Sequence, residues 1–132
     1  MKDEIQKQKI LLVDDEEIQL TIARSMLEDD YEIFVAKSGR RAVEYLRDGL
    51  VPHLVLLDIL MPEMDGWETF NRIRAMSFLH EVPVAFLTSI NEIVAETHAF
   101  EMGAADYIAK PYEKGDILKR VKDIMEKGVN KQ

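Results

Sequence analysis

Cysteine is absent from the 132 residues, which excludes a disulfide framework, a thiolate metal site and a cysteine nucleophile together. Proline and glycine are scarce, at four and six residues, so neither a collagen-like nor a Pro/Gly-rich disordered chain is in question. No apolar run approaches the roughly 20 residues that a membrane-crossing helix needs. Met1 to Lys9 is a charged stretch without the apolar segment of a signal peptide. A cytoplasmic chain without membrane contact is therefore expected. Basic charge is in deficit, with 17 Lys and Arg against 25 Asp and Glu and a net charge of −8. Sequence-independent binding to nucleic acid needs a basic surface, so direct nucleic-acid binding by this chain is not expected.

What the chain does have is enough apolar content, 47% of residues, to build one core. Its organising stretch is Leu54-Val55-Leu56-Leu57, an unbroken apolar run that stops at Asp58 and is followed by Pro62 and Gly66. Such a run is the pattern of a strand buried on both faces of a parallel sheet. Lys9 to Val13 is a second such strand, ending in Asp14-Asp15, and Tyr31 to Ala36, Pro83 to Thr88 and Asp106 to Ala109 are three more. Helical patterns alternate with them. Glu16 to Leu27 is acidic in its first turn, and Ser38 caps a helix to about Asp48 that Gly49 closes. Asp65-Gly66 opens a helix through Trp67, Phe70 and Ile73 to about Met76. Ser89 to Met102 carries Ile93, Thr97 and Phe100 at helical spacing and ends at Gly103. Glu113 to Lys127 aligns Ile117, Val121 and Ile124 and ends at Gly128. Five strand–helix alternations predict an α/β, doubly wound domain with a five-stranded parallel sheet and five helices. It is expected to span residues 9–127, between polar tails at 1–8 and 128–132.

Open α/β sheets bind ligands at the carboxyl ends of their strands. In this chain those ends carry Asp14 and Asp15, Asp58, Thr88 and Lys110. Lys37 and Ser38, after the second strand, have no evident place in the same site. A lone acid in such a position is a turn former or a cap; the pattern over four strands is what carries meaning. Three converging carboxylates repel, and a hard divalent cation relieves them. Mg²⁺ prefers oxygen ligands, typically one or two carboxylates plus a phosphate. Lys110 can neutralise an anionic oxygen and Thr88 can donate to one, an arrangement suited to phosphoryl transfer. With no cysteine and no Ser-His pair, a carboxylate is the natural nucleophile, and Asp58 on the central strand is the candidate.

These marks, Val13-Asp14-Asp15, Leu57-Asp58 with Met61-Pro62-Glu63-Met64-Asp65-Gly66, Leu87-Thr88-Ser89, and Tyr107 with Lys110-Pro111, resemble those of response-regulator receiver domains, the phosphoacceptor modules of two-component signalling. The resemblance covers about Lys9 to Lys127. It implies the flavodoxin-like strand order 2-1-3-4-5 and a phosphorylation-activated switch in a two-component system or phosphorelay. Asp58 would accept a phosphoryl group from a histidine kinase or histidine phosphotransfer protein. Mg²⁺, with Mn²⁺ as a substitute, would be held by Asp14, Asp15, Asp58 and the Leu60 backbone carbonyl. Lys110 would pair with the phosphoryl oxygens, Lys110-Pro111 would be a cis peptide, and Thr88 with Tyr107 would be the switch pair. Such a chain phosphorylates and dephosphorylates itself only, is not a turnover enzyme, and is expected to be a monomer or weak dimer. The alternative, an aspartyl-phosphate-forming phosphatase of haloacid-dehalogenase type, calls for Asp-x-Asp after the first strand and a cap domain, and this chain has neither.

Two further expectations concern individual side chains. On the first helix Ile18, Leu20, Ile22, Ala23, Met26 and Leu27 fan wider than one sheet-facing stripe, so Ile18 and Ile22 are candidates for docking a phosphodonor. Tyr112 stands where the family frequently has phenylalanine, and is expected to leave the chemistry untouched.

Overall fold

A computed structural model describes residues 6–90 and 92–130, and the side chains of these except 128–130. Asn91, inside the predicted fourth helix, and positions 1–5 and 131–132 of the expected tails lie outside the described residues. Five strands, β1 (Gln8–Val13), β2 (Tyr31–Ala36), β3 (Leu54–Asp58), β4 (Val84–Thr88) and β5 (Asp106–Ala109), form one sheet in the order β2-β1-β3-β4-β5. Every pairing is parallel. The helices are α1 (Glu17–Leu27), α2 (Gly39–Arg47), α3 (Gly66–Arg74), α4 (Ile93–Met102) and α5 (Lys114–Asn130). The doubly wound sheet of the expected order and the five helices are thus observed. No helix among the described residues is long and apolar enough to cross a membrane.

Alternation along the strands builds two cores. Leu11, Val13, Val55, Leu57, Val84 and Phe86 cluster with Leu46 of α2, Phe70 and Ile73 of α3 and Ala99 of α4. Ile10, Leu12, Leu54, Leu56, Ala85, Leu87 and Ile108 cluster with Leu20, Ala23 and Leu27 of α1 and with Ile117, Val121 and Ile124 of α5. Both faces of β3 and β4 are therefore covered and every residue in them is buried, which is why these strands read as continuous apolar runs. Each fully buried aliphatic side chain contributes about 1.5–3 kcal/mol.

Local signals set the helix ends. Ser38 accepts from Arg41 N–H at 3.0 Å and Asp65 accepts from Glu68 N–H at 3.0 Å, each an N-cap satisfying a free donor of the first turn. Gly49 and Gly103 follow α2 and α4 with φ of 117° and 103°, backbone that side chains resist and glycine adopts freely. Pro83 has no N–H to give the ladder; β4 begins one residue later, while the Pro83 carbonyl accepts from Val55 N–H at 3.0 Å. A 3₁₀ turn over Ser77–Leu79, which the sequence reading did not contain, is tied down by Arg74, whose guanidinium donates to the Leu79 and Val82 carbonyls.

Several expectations about element ends and faces are corrected. The fourth helix starts at Ile93 instead of Ser89, because the Thr88 hydroxyl takes the Ile90 N–H at 3.0 Å and holds the chain out of helical geometry. Its core face is not Ile93, Thr97 and Phe100. Ile93 is 82% exposed and Phe100 46%, while Ala95, Ala99 and Met102 face the core, since alanine lets the helix lie close to the sheet. Finally, α5 runs through Gly128 to Asn130. One helical glycine costs only about 1 kcal/mol, less than the anchoring of the preceding turns by Val121, Ile124 and Met125 supplies. At the other end, Gln8, expected in a tail, already belongs to β1.

The loop after β3 folds back on its own strand. Gly66 N–H donates to the Ile59 carbonyl at 2.8 Å, and a methyl group at Gly66 would overlap the Asp58 carbonyl and lie 2.7 Å from Ile59 Cα. That overlap is with backbone, which cannot step aside. Gly66→Ala is expected to destabilise the fold by about 1–3 kcal/mol, read as a lowered urea midpoint. Gly115→Ala, whose methyl would meet only the flexible Glu113 carboxylate, serves as the control and is expected to be neutral or slightly stabilising. Equal midpoints for the two variants would refute the account.

Candidate functional site

Strand register assembles the site. Val13 pairs with Leu57, so Asp14 leaves β1 beside Asp58, the last residue of β3. Asp58 pairs with Leu87, which sets Thr88 one step further on, and Thr88 pairs with Ala109. Lys110 N–H then donates to the Thr88 carbonyl at 2.9 Å. Four strands thereby deliver Asp14, Asp15, Asp58, Thr88 and Lys110 to one edge of the sheet.

Asp14 and Asp58 are buried, and Asp15 is exposed at the mouth. One oxygen of each of the three carboxylates lies within 4.8 Å of those of the other two. Lys110, itself only 9% exposed along its side chain, donates from Nζ to Asp14 Oδ2 at 2.7 Å and stands 3.5 Å from Asp58 Oδ2. Asp14 Oδ1 also accepts from Glu16 N–H at 3.0 Å, which fixes the carboxylate at the start of α1. A single ammonium cannot balance three acids. Burial, and then the neighbouring Asp14 charge, push the Asp58 carboxyl up to about 7 despite the opposing pull of Lys110. The donor set is made of oxygens alone, the chemistry that a hard dication such as Mg²⁺ takes.

Behind the acids lies a second chain of contacts. Thr88 is buried, and its hydroxyl accepts from Ile90 N–H at 3.0 Å. The Ile90 carbonyl accepts from the Tyr107 hydroxyl at 2.9 Å, and the Tyr107 ring is buried in the core. Ile90 therefore joins the two residues expected as a switch pair, a link that sequence spacing does not reveal. Lys110-Pro111 is a cis peptide, as expected.

Leu60, expected to offer only its backbone carbonyl, is 59% exposed just beyond β3. Other singled-out residues stand apart from the acids: Ile18 and Ile22 lie on the outer side of α1, 72% and 37% exposed. Lys37 forms an ion pair with Glu17, and Ser38 caps α2, so neither joins the acids. His53 accepts from Lys9 N–H through Nδ1 at 2.9 Å at the start of β1, far along the sheet from Asp58. The Tyr112 hydroxyl is buried without a hydrogen-bond partner, and the charges of Asp14, Asp58 and Glu16 bear on it.

Residues 10–122 match the family model for the response regulator receiver domain. The chain belongs to the response-regulator receiver family. The receiver is 32% identical over 123 residues to histidine kinase P4 of Formosa agariphila, covering 93% of this chain and 9% of that protein. It is 32% identical over 117 residues to response regulator RR06 of Streptococcus pneumoniae, covering 88% of this chain and 52% of that protein. Among solved structures, the signal receiver domain of a signal transduction histidine kinase from Syntrophus aciditrophicus superposes with a TM-score of 0.82 at 31% identity. That match covers 95% of this chain and 94% of the other. The receiver spans less than two thirds of either named relative's own length. Its acidic cluster is typical of the phosphoacceptor and Mg²⁺ site of two-component receivers.

The raised Asp58 carboxyl has a consequence for stability. Between its unfolded value of 3.8 and about 7, the folded chain holds a proton that the unfolded chain has released. The stability from this group is then complete below about pH 4 and is lost as pH rises through about 7. In chelator, the Tm of the wild-type receiver is expected to fall between pH 5 and pH 8 more steeply than that of Asp58→Asn. Parallel pH profiles for the two would show that Asp58 does not carry this proton.

Proposed function

We propose that this receiver is a phosphorylation-controlled switch that takes a phosphoryl group onto Asp58 from the phosphohistidine of a histidine kinase or histidine phosphotransfer protein. The observation that carries the reading is the buried Asp58 carboxylate at the end of the central strand, with Asp14, Asp15 and Lys110 gathered around it. A carboxylate oxygen of Asp58 attacks phosphorus; the P–O bond forms as the P–N bond breaks, and the electron pair returns to the imidazole. Lys110 donates to one phosphoryl oxygen and the Thr88 hydroxyl to another. Asp14, Asp15, Asp58 and the Leu60 carbonyl would hold Mg²⁺, or Mn²⁺ on the same oxygens. Bound there, the dication supplies the positive charge that lets Asp58 ionise beside two other acids and offsets the incoming phosphoryl charge. The chain acts on itself and turns over no external substrate.

Transmission follows from the Ile90 link. If Thr88 turns its hydroxyl to a phosphoryl oxygen, Ile90 N–H loses its acceptor, and the Ile90 carbonyl that holds Tyr107 shifts with it. Phosphoryl charge at Asp58 is thereby read at Tyr107 and at the start of α4, a local electrostatic change with a wider structural readout.

Incubation with acetyl phosphate and Mg²⁺ is expected to add the mass of one phosphoryl group to the wild-type protein and none to Asp58→Ala. Intact mass spectrometry decides it, and equal labelling of the two proteins would exclude Asp58 as acceptor.

Ile18 and Ile22 form an exposed apolar pair one helical turn apart, running from the first turn of α1, next to the acids, to its middle. We assign them to docking of the phosphodonor. Ile18→Asp is expected to slow transfer from a phosphorylated histidine kinase at least tenfold while leaving labelling by acetyl phosphate unchanged, since the small donor needs no protein surface. A proportionate loss with both donors would rule out the docking role.

A further inference from the structure

Among the described residues, one buried side-chain polar atom has no hydrogen-bond partner, the Tyr112 hydroxyl. Tyr112 follows Lys110-Pro111 and leads into α5, and its ring belongs to the apolar cluster that includes Leu20 of α1, Ile108 of β5 and Ile117 of α5. The residue is only 9% exposed. Phenylalanine would fill the same space without burying an oxygen, so the hydroxyl is a liability to the fold unless something answers it.

The surroundings say what could answer it. Burial, then the charges of Asp14, Asp58 and Glu16, push the Tyr112 phenol up from its ordinary range. It therefore stays a neutral O–H that can both donate and accept. Asp14 is already engaged on both oxygens, by Glu16 N–H at 3.0 Å and Lys110 Nζ at 2.7 Å, and no direct bond joins it to Tyr112. Beside an acidic cluster, the group that fits an unanswered neutral hydroxyl is water organised by a cation. Mg²⁺ retains several waters when bound by carboxylates, and these are strong donors in need of acceptors.

We propose that Tyr112 is a positioning residue for the hydrated dication, its hydroxyl accepting a hydrogen bond from a water of the cation's shell and donating toward the Asp14–Glu16 edge. The inference rests on Asp14, Asp15 and Asp58 being the dication site. It adds to that site a member that does not touch the cation itself and acts by ordering the shell around it, as outer-shell groups do at other metal centres.

Calorimetric titration of the full chain with Mg²⁺ tests it, comparing wild type, Tyr112→Phe and Asp15→Asn at one pH and ionic strength. Tyr112→Phe is expected to raise the Kd for Mg²⁺ roughly three- to tenfold, toward the low end of outer-shell effects. In chelator the same variant should unfold at the same temperature as wild type or higher, because it has lost only an unpaired oxygen; in saturating Mg²⁺ that advantage should shrink or reverse. A purely structural role would shift the unfolding temperature equally with and without the cation. Wild type and Tyr112→Phe binding Mg²⁺ equally, while Asp15→Asn binds it more weakly, would overturn the role of Tyr112 alone. Failure of wild type to bind Mg²⁺, or an unaltered Kd in Asp15→Asn, would overturn the dication site and this inference with it.

Discussion

Repulsion between carboxylates is the constraint on which this receiver turns. Two like charges about 4 Å apart cost on the order of 4 kcal/mol at an effective dielectric near 20. Here three acids have oxygens within 4.8 Å of one another, two of the residues are buried, and one lysine is within ion-pair distance of two of them. Folding alone would avoid such an arrangement. It persists because β1 and β3 are held in register by two apolar cores, whose summed burial far exceeds the local electrostatic penalty. The excess negative charge is thus stored at a rigid edge. Sensitivity to small changes in charge follows from that storage, since a group pushed up to about 7 responds to any new neighbour.

The fold's contribution is placement. Lys110 is connected to Thr88 through a backbone bond just beyond the end of β5, and Asp14 to α1 through the Glu16 amide. Neither side chain needs to be ordered by the reaction. The loop after Asp58, folded back onto Ile59 by Gly66, holds the remaining side of the site close to the strand. Groups held in place this way leave little conformational entropy to be lost when they act together.

Much of this was legible in the amino-acid order. Strands buried on both faces leave unbroken apolar runs, and the residues at their exits fall on one edge in any parallel sheet, so Asp14, Asp58, Thr88 and Lys110 could be grouped before any distance was known. The same logic misassigned α4. Ile93, Thr97 and Phe100 have the spacing of a core face, but Ala95, Ala99 and Met102 share that spacing. Periodicity favoured the larger residues where close packing favoured the smaller. Helix ends failed for energetic reasons: Gly128 weakens α5 without ending it, and the Thr88 hydroxyl delays α4 through a local bond that competes with helix. Tyr112 reads in the sequence as a neutral replacement for phenylalanine, because a one-atom difference carries no pattern. Only the burial of that atom, with no partner, gives it meaning.

The sole tryptophan of the chain sits where these parts meet. The Trp67 ring, on α3, lies 4.9 Å from Phe86 of β4 and 4.8 Å, edge-on, from His98 of α4. His98 is carried by α4, so a shift of that helix along the sheet would change what the indole touches. Trp67 is thereby an optical probe built into the chain, whose emission would register any displacement between the strand bearing Thr88 and the helix beyond it.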